Sequence, residues 1–129
     1  MKEPTIQVLQ VEPHKHPQRV TLQNDLDSLQ KAVSIGVDYQ GLIELVWLED
    51  GILILCNEEG KLNGLEPNRH LGNDILCGVF YVVSEDDKGN LASLSPAMTD
   101  KYTRLFWEPE NITKDEASDA LFIDFVPIT

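Results

Sequence analysis

The sequence is poor in positive charge. Of its 129 residues, 10 are Lys or Arg and 22 are Asp or Glu, so the formal net charge is −12. A protein that binds the nucleic-acid backbone needs cations to displace phosphate counterions, and a protein that docks on anionic lipid needs them too. The composition therefore predicts no direct nucleic-acid binding and no membrane attachment.

Cysteine and long apolar runs are also scarce. No run approaches the ~18 apolar residues of a membrane span, and residues 1–4 do not resemble the start of a signal peptide. The two cysteines, Cys56 and Cys77, lie within apolar stretches, where free thiols are usually buried and reduced. We therefore expect a cytoplasmic protein.

Residues with catalytic chemistry are few. Of the three histidines, His14 and His16 lie between prolines without a surrounding motif, and His70 is the best candidate for a general base. The sequence has no glycine-rich loop with the spacing of a phosphate-binding motif, and no third or fourth ligand is spaced to complete a zinc site. We predict a non-catalytic protein with no catalytic residues, no metal site and no cofactor.

Apolar patterning predicts a single α+β domain with a mixed or mostly antiparallel sheet and two helices. Short strands are expected at residues 6–11 and 19–22, and a further strand at 79–83 ends in an acidic turn. The apolar segments 42–48 and 52–56 are separated by an Asp-Gly step, which is a strong hairpin signal. Both faces of these two strands are apolar, so we expect either that both faces of the sheet are covered or that the sheet curls.

Each predicted helix has a recognisable start. The first follows Asn24 or Asp25 as N-cap, and the second begins at Ser95 with Pro96 in the first helical position. The predicted buried faces contain Leu26, Leu29 and Val33 in the first helix and Met98, Tyr102, Leu105 and Phe106 in the second. We divide the chain into a domain at 1–107 and an acidic extension at 108–129, which ends in a strand-like run at 121–126.

The segment 56–69 is the best candidate for a binding site. It combines glycines, asparagines, a proline and both signs of charge directly after the most apolar strand. Loops beside a rigid sheet often carry binding groups. The alternative is a hairpin turn with a solvated connection, because the same residue types are typical of turns. The candidate ligand-binding residues are Asn57, Glu59, Lys61, Asn63, Asn68 and Arg69.

The same segment carries a resemblance to a known family. The strings NEEGKL at 57–62, GL at 64–65 and PNR at 67–69 resemble the signature of the domain of unknown function 3846, as do the strand ending in Val-Glu-Pro at 11–13 and the strand GVFYVV at 78–83. The resemblance spans roughly residues 6–106. It implies an origin in bacteria, their phages or mobile elements, and it supplies no established activity.

Three functional hypotheses remain open. The first is a phage or mobile-element protein that acts in counter-defence by sequestering a small anionic, nucleotide-like ligand, since Lys61 and Arg69 lie together in an otherwise anionic chain. The second is an acidic inhibitor that mimics nucleic acid and binds a host protein, because the segments 44–66 and 108–129 each carry a formal charge of −5. The third is a structural or interaction domain, with 121–126 as a homo-oligomer contact.

Overall fold

An antiparallel sheet forms the centre of the domain in a computed structural model, which describes residues 3–35, 41–58 and 64–117. The chain order is β1 (Thr5–Val11), β2 (Gln18–Gln23), α1 (Leu26–Ala32), β3 (Ile43–Glu49), β4 (Ile52–Asn57), β5 (Pro67–Leu71), β6 (Asp74–Cys77), β7 (Phe80–Glu85), β8 (Leu91–Ala92) and α2 (Pro96–Leu105). The main sheet has the order β2-β1-β7-β4-β3, with β8 paired to β7. Strands β5 and β6 form a separate hairpin. The α+β fold with a mostly antiparallel sheet is confirmed, and a third short helix at 114–117 adds to the two predicted helices.

The central strands β4 and β7 are buried on both faces, as their apolar sequences predict. Every residue of β4 is buried, and so are the first four residues of β7. On one face, Ile52, Ile54 and Phe80 pack with Tyr102 and Phe106 from the α2 segment. On the other face, a second cluster contains Leu53 and Leu55 together with residues of α1. Burying apolar side chains on both faces gives this short chain its core.

Both helices begin at the predicted caps. The carboxylate of Asp25 accepts a hydrogen bond from Ser28 N, and the hydroxyl of Ser95 accepts one from Met98 N. Two predictions about the helix faces are wrong: Leu26 is 66% exposed and Leu105 is 61% exposed. Each lies at an end of its helix, where a side chain at helical spacing no longer faces the sheet.

The hairpin formed by β5 and β6 was not predicted, because the sequence of β5 reads as a polar connection. Leu65, Ile75 and Cys77 form a small apolar cluster with Ile112 and Ala117. The first half of the extension therefore packs on the domain, where Thr113 and Glu116 form a reciprocal capping pair at a helix that begins at 114. Cys56 and Cys77 are both buried, as expected.

The remaining predictions fall outside the described part of the chain. The strand-like run 121–126 is among the residues that the structure does not describe. Within the described part, α1 ends at Ala32 with Val33 as its C-cap. None of the described helices has the length and apolar character needed to cross a membrane.

Candidate functional site

Arg69 lies inside the protein. Its side chain is 1% exposed, and its guanidinium donates to three separate segments: Nε to the carbonyl of Phe106 (3.1 Å), Nη1 to Asn68 Oδ1 (2.7 Å) and Nη2 to the carbonyl of Lys15 (2.6 Å). Burial lowers the pKa of the Arg69 guanidinium below its ordinary value, and the Glu110 carboxylate opposes that shift. This arginine joins the β1–β2 loop, β5 and the end of α2.

Asn68 and Asn57 are also buried, in different places. The Asn68 amide donates to the carbonyls of Val11 (2.9 Å) and Gly78 (2.8 Å), and its oxygen accepts from Arg69. Asn57 instead donates to the carbonyl of Val33 at the end of α1 (3.3 Å). Asn57 therefore fixes a helix to the sheet, whereas Asn68 and Arg69 fix the hairpin.

The other three candidates, Glu59, Lys61 and Asn63, fall outside the described residues. The ligand-binding role of the six candidates stays a prediction. Its described members make structural hydrogen bonds at two separate locations, Asn57 at the end of α1 and Asn68 with Arg69 at the hairpin.

The histidines serve as contacts between segments. The carboxylate of Glu110 accepts from His70 N and is hydrogen-bonded to His70 Nδ1, and His14 Nε2 lies 3.2 Å from Glu66 Oε1. The ring of His16 stacks on Trp107 with a centroid separation of 3.9 Å. Within the described ranges, no group of three or more His, Cys, Asp or Glu residues could hold a metal ion. The contacts of His70 hold the extension against the hairpin.

A cleft of about 460 Å³ lies beside the point where the described chain resumes at Gly64. Lys15 in its wall is paired with Glu12 at 2.8 Å. Lys114, also in the wall, has no acidic partner within the described part of the chain. The lining residues are Glu12, Pro13, Lys15, Ile35, Gly64, Leu65, Glu66, Gly78, Val79 and Lys114. With two lysines and two glutamates, the cleft has no strong preference for either sign of charge.

The edge strand β3 carries an exposed apolar surface. Leu42, Leu45 and Trp47 are 58%, 48% and 54% exposed, and we call these three residues the β3 surface. Leu45 and Trp47 lie directly opposite Leu55 and Leu53 of β4, which are 0% exposed. Within the described ranges, β4 is the only strand paired with β3. An edge strand usually bears charge or proline on such positions, because an open apolar edge promotes pairing with another chain.

A β-bulge in β3 places Glu49 on the face of the sheet opposite Leu45 and Trp47. The register of β3 and β4 shifts between Trp47 and Glu49, so Glu49 lies opposite Ile52 on the face covered by α2. There its carboxylate accepts from Lys101 Nζ (2.6 Å) and from the hydroxyl of Tyr102. The bulge thus directs the charge of Glu49 towards α2 and leaves Leu45 and Trp47 on an apolar face.

The contacts of Glu49 shift two pKa values. Hydrogen bonds from Lys101 and Tyr102 lower the pKa of the Glu49 carboxyl from its ordinary value. Burial and the Glu49 carboxylate raise the pKa of Tyr102 to about 12. These contacts fasten α2 to the end of β3 and so hold the edge strand in a fixed position.

Sequence reasoning missed the β3 surface. The apolar run 42–48 predicts a strand buried on both faces, because periodicity does not distinguish an edge strand from a central one. Glu44, in the middle of the run, was the available signal. It is exposed, and a charge within an apolar strand is typical of an edge.

The fold and this surface together define a small α+β domain with an open apolar edge. A family model with the description "Domain of unknown function (DUF3846)" matches residues 6–107. The chain belongs to this family. No curated protein and no solved structure matches the chain. The residues from 108 onwards, including those that contact the hairpin, lie beyond the matched region.

Proposed function

We propose that this protein is a non-catalytic interaction domain that binds an extended segment of a partner protein along the outer edge of β3. The observation that carries the proposal is the half-exposed pair Leu45 and Trp47 on a strand with one neighbour among the described residues. Tryptophan is among the residues that most often dominate binding energy in protein interfaces. Adding a strand to an open edge supplies main-chain hydrogen bonds, and the apolar side chains supply specificity.

The charges near β3 define the chemistry of the partner. Glu44 is exposed on β3, Asp50 lies in the turn that follows it, and Glu58 lies beside Leu42, whose carbonyl accepts from Glu58 N at 2.9 Å. On the α2 side, the basic side chain of Lys101 is already paired with Glu49 of β3. We therefore expect an apolar partner segment with Lys or Arg at its ends.

Peptide selection against the immobilised full chain tests the proposal. We expect selected peptides to be apolar in the centre and basic at the ends, and to bind at least tenfold more weakly to Leu45→Glu and Trp47→Glu. Thr21→Glu is the matched control, because Thr21 is exposed on β2 at the opposite edge of the same sheet. Peptides whose affinity is the same for all four proteins would contradict the proposal.

A second candidate function, binding of a small anionic ligand, is supported by one observation. Lys114 lines the cleft beside Gly64 and has no acidic partner in the described residues. Calorimetric titration with nucleotides and cyclic nucleotides tests this function: binding should be lost in Lys114→Ala and retained in Lys88→Ala, which alters an exposed lysine in a distant turn. Binding that is unaffected by Lys114→Ala would exclude the cleft as its site.

Two further proposals concern the setting of the protein. The burial of Cys56 and Cys77 in apolar clusters supports a cytoplasmic location, because buried cysteines of this kind are typically small apolar core residues kept reduced in that compartment. The family resemblance implies an origin in a phage or mobile element, and a role in counter-defence against the host is proposed from that origin alone. A host protein is then the expected partner. The acidic surface would speed its association whether or not it mimics nucleic acid.

A further inference from the structure

We propose that the β5–β6 hairpin is a docking site for a peptide that has a carboxylate two residues before an aliphatic side chain. Residues 108–117 of this chain, which we call the docked segment, occupy the site and can leave it while the sheet stays folded. The site involves none of the residues of the β3 surface, so this inference goes beyond the proposed function. It is carried by the kinds of contact that hold the docked segment.

The docked segment starts from a fixed point. The carbonyl of Phe106 accepts a hydrogen bond from Arg69 Nε at 3.1 Å, and the carbonyl of Trp107 lies 2.6 Å from His16 Nδ1. Pro109, two residues later, has no main-chain N–H to donate. The chain is therefore anchored up to Trp107, and the contacts of the docked segment with the hairpin begin after it.

Glu110 makes the polar contact of the docked segment. Its carboxylate accepts a hydrogen bond from His70 N at 3.1 Å and is hydrogen-bonded to His70 Nδ1. The side chains of Glu110 and His70 are 34% and 50% exposed. Because water already reaches both groups, releasing this carboxylate costs less than leaving a buried polar group without a partner.

Ile112 makes the apolar contact of the docked segment on the same face of the hairpin. It is 5% exposed and packs in the cluster that contains Ile75 and Leu65. Ile75 lies directly opposite His70 in the β5–β6 register, and opposite residues of an antiparallel pair share a face. A carboxylate and an aliphatic side chain two residues apart therefore reach His70 and Ile75 together. This spacing defines the peptide that the hairpin accepts.

The docked segment is held to the hairpin through its own side chains. Among the described residues, the main-chain hydrogen bond of this segment runs from Ala117 N to Thr113 O (3.2 Å) and so stays inside it. The strands of the sheet and of the hairpin pair with one another. A segment that shares no ladder hydrogen bonds with these strands can open locally at a lower cost than the strands themselves.

The docked segment also lies outside the family match. The match covers residues 6–107, which include the sheet, the hairpin and α2. The strands that form the docking site thus belong to the family domain, and their occupant follows it in the chain. This division supports an occupant that is separable from the domain.

A peptide from another protein must compete with the docked segment. A short tether gives a segment an effective concentration in the millimolar range at its site. The wild type should therefore bind such a peptide weakly. A variant whose own segment is loosened should bind the same peptide more tightly.

A labelled peptide with the sequence of residues 107–117, titrated against full-chain proteins, tests the proposal. We expect Ile112→Asp to bind it at least tenfold more tightly than the wild type, because the loosened segment no longer competes. Asn111→Asp is the matched control: it adds the same charge at an exposed neighbouring position and should bind the peptide as weakly as the wild type does. The same peptide carrying Glu110→Ala and Ile112→Ala should bind the Ile112→Asp protein at least tenfold more weakly.

Hydrogen exchange on the full chain separates release of the docked segment from unfolding. In Ile112→Asp, the His70 amide should exchange at least fivefold faster than in the wild type, because its carboxylate acceptor has left. The amides of β4 in this variant should still exchange at least a hundredfold more slowly than in the unfolded chain.

Each of four results would overturn the inference. A peptide that binds neither protein would show that the hairpin is not a docking site, and equal affinity for the wild type and Ile112→Asp would place the peptide elsewhere. Loss of β4 protection in Ile112→Asp would make the docked segment an integral part of the fold. Loss of peptide binding when Trp47→Glu is added to Ile112→Asp would assign the peptide to the β3 surface. None of the four concerns peptides selected through Leu45 and Trp47, so the proposed function is judged separately.

Discussion

Arg69 holds three segments of the backbone together from a buried position. Arg69→Ala would leave the carbonyls of Lys15 and Phe106 and the oxygen of Asn68 without their donor. Because buried acceptors without partners are costly, we expect a loss of about 3 kcal/mol in the free energy of unfolding. Urea denaturation measures this loss.

The matched control is Arg104→Ala, an exposed arginine on α2, which should change the same quantity by less than about 0.5 kcal/mol. Arg69→Lys should recover little of the loss, since a single ammonium cannot reach three separate acceptors. Equal stability of the Arg69→Ala and Arg104→Ala proteins would refute the structural role.

Tyr102 should make the protein sensitive to high pH. Its pKa is raised from 10.0 to about 12, so the folded state favours the neutral phenol more than the unfolded state does. The stability gained from Tyr102 is therefore fully present below pH 10 and is lost as the pH rises through 12. We expect Tyr102→Phe to show a smaller decline in unfolding free energy over this interval than the wild type.

Denaturation at a series of pH values measures this difference. The remaining decline in the variant would reflect the other groups that titrate there, including Tyr81, whose pKa is raised by burial. If the unfolding free energy of Tyr102→Phe falls as steeply with pH as that of the wild type, then the pKa of Tyr102 does not differ between the folded and unfolded states.

At the scale of elements, the turn that joins β6 to β7 depends on Gly78. This residue has φ of +80°, and a Cβ placed on it would lie 2.8 Å from Leu65 Cδ1. Gly78→Ala should therefore cost more than the ~1–2 kcal/mol of the positive φ alone. Gly72→Ala is the control, because Gly72 has φ of +60° and no atom within 4 Å of the added Cβ. Thermal unfolding should rank the proteins as wild type, Gly72→Ala, Gly78→Ala; the reverse order of the two variants would contradict the packing argument.

How far the sequence predicts these elements depends on whether their signals are local. The β3–β4 hairpin and the start of α2 were predicted, because an Asp-Gly turn and a Ser-Pro cap act through neighbouring residues. Strand β5 was missed because its polar side chains find their hydrogen-bond partners in distant parts of the chain. Arg69 donates to carbonyls 54 and 37 positions away. No pattern within β5 encodes those partners.

The candidate site was harder to predict than the fold for the same reason. Arg69 and Lys61 are both cations in one segment of the sequence, yet burial decides whether such a group binds a ligand or the backbone. Glu44 was the one sequence signal for the β3 surface, whose exposure otherwise depends on the order of strands in the sheet. Sequence periodicity places Leu45 and Trp47 on one face and does not state whether that face is covered.

At the scale of the whole molecule, the net charge of −12 predicts that added salt has opposite effects on folding and on binding. Repulsion between like charges destabilises the compact state, and salt screens it over a Debye length of about 10 Å at 0.1 M. Raising NaCl from 10 to 500 mM (roughly a sevenfold shorter screening length) should therefore raise the melting temperature of the free protein. The exposed pair of Lys31 and Asp27 opposes this trend only weakly.

The same salt change should weaken binding of a partner peptide with basic ends, because screening removes its attraction to the acids around β3. Calorimetry of the protein with and without a selected peptide measures both effects on one sample. The matched comparison is a peptide with the same apolar centre and neutral ends, whose affinity should change little with salt. If the basic and neutral peptides respond alike, the acids around β3 do not contribute to recognition, and the apolar contacts of Leu45 and Trp47 alone determine which segment binds.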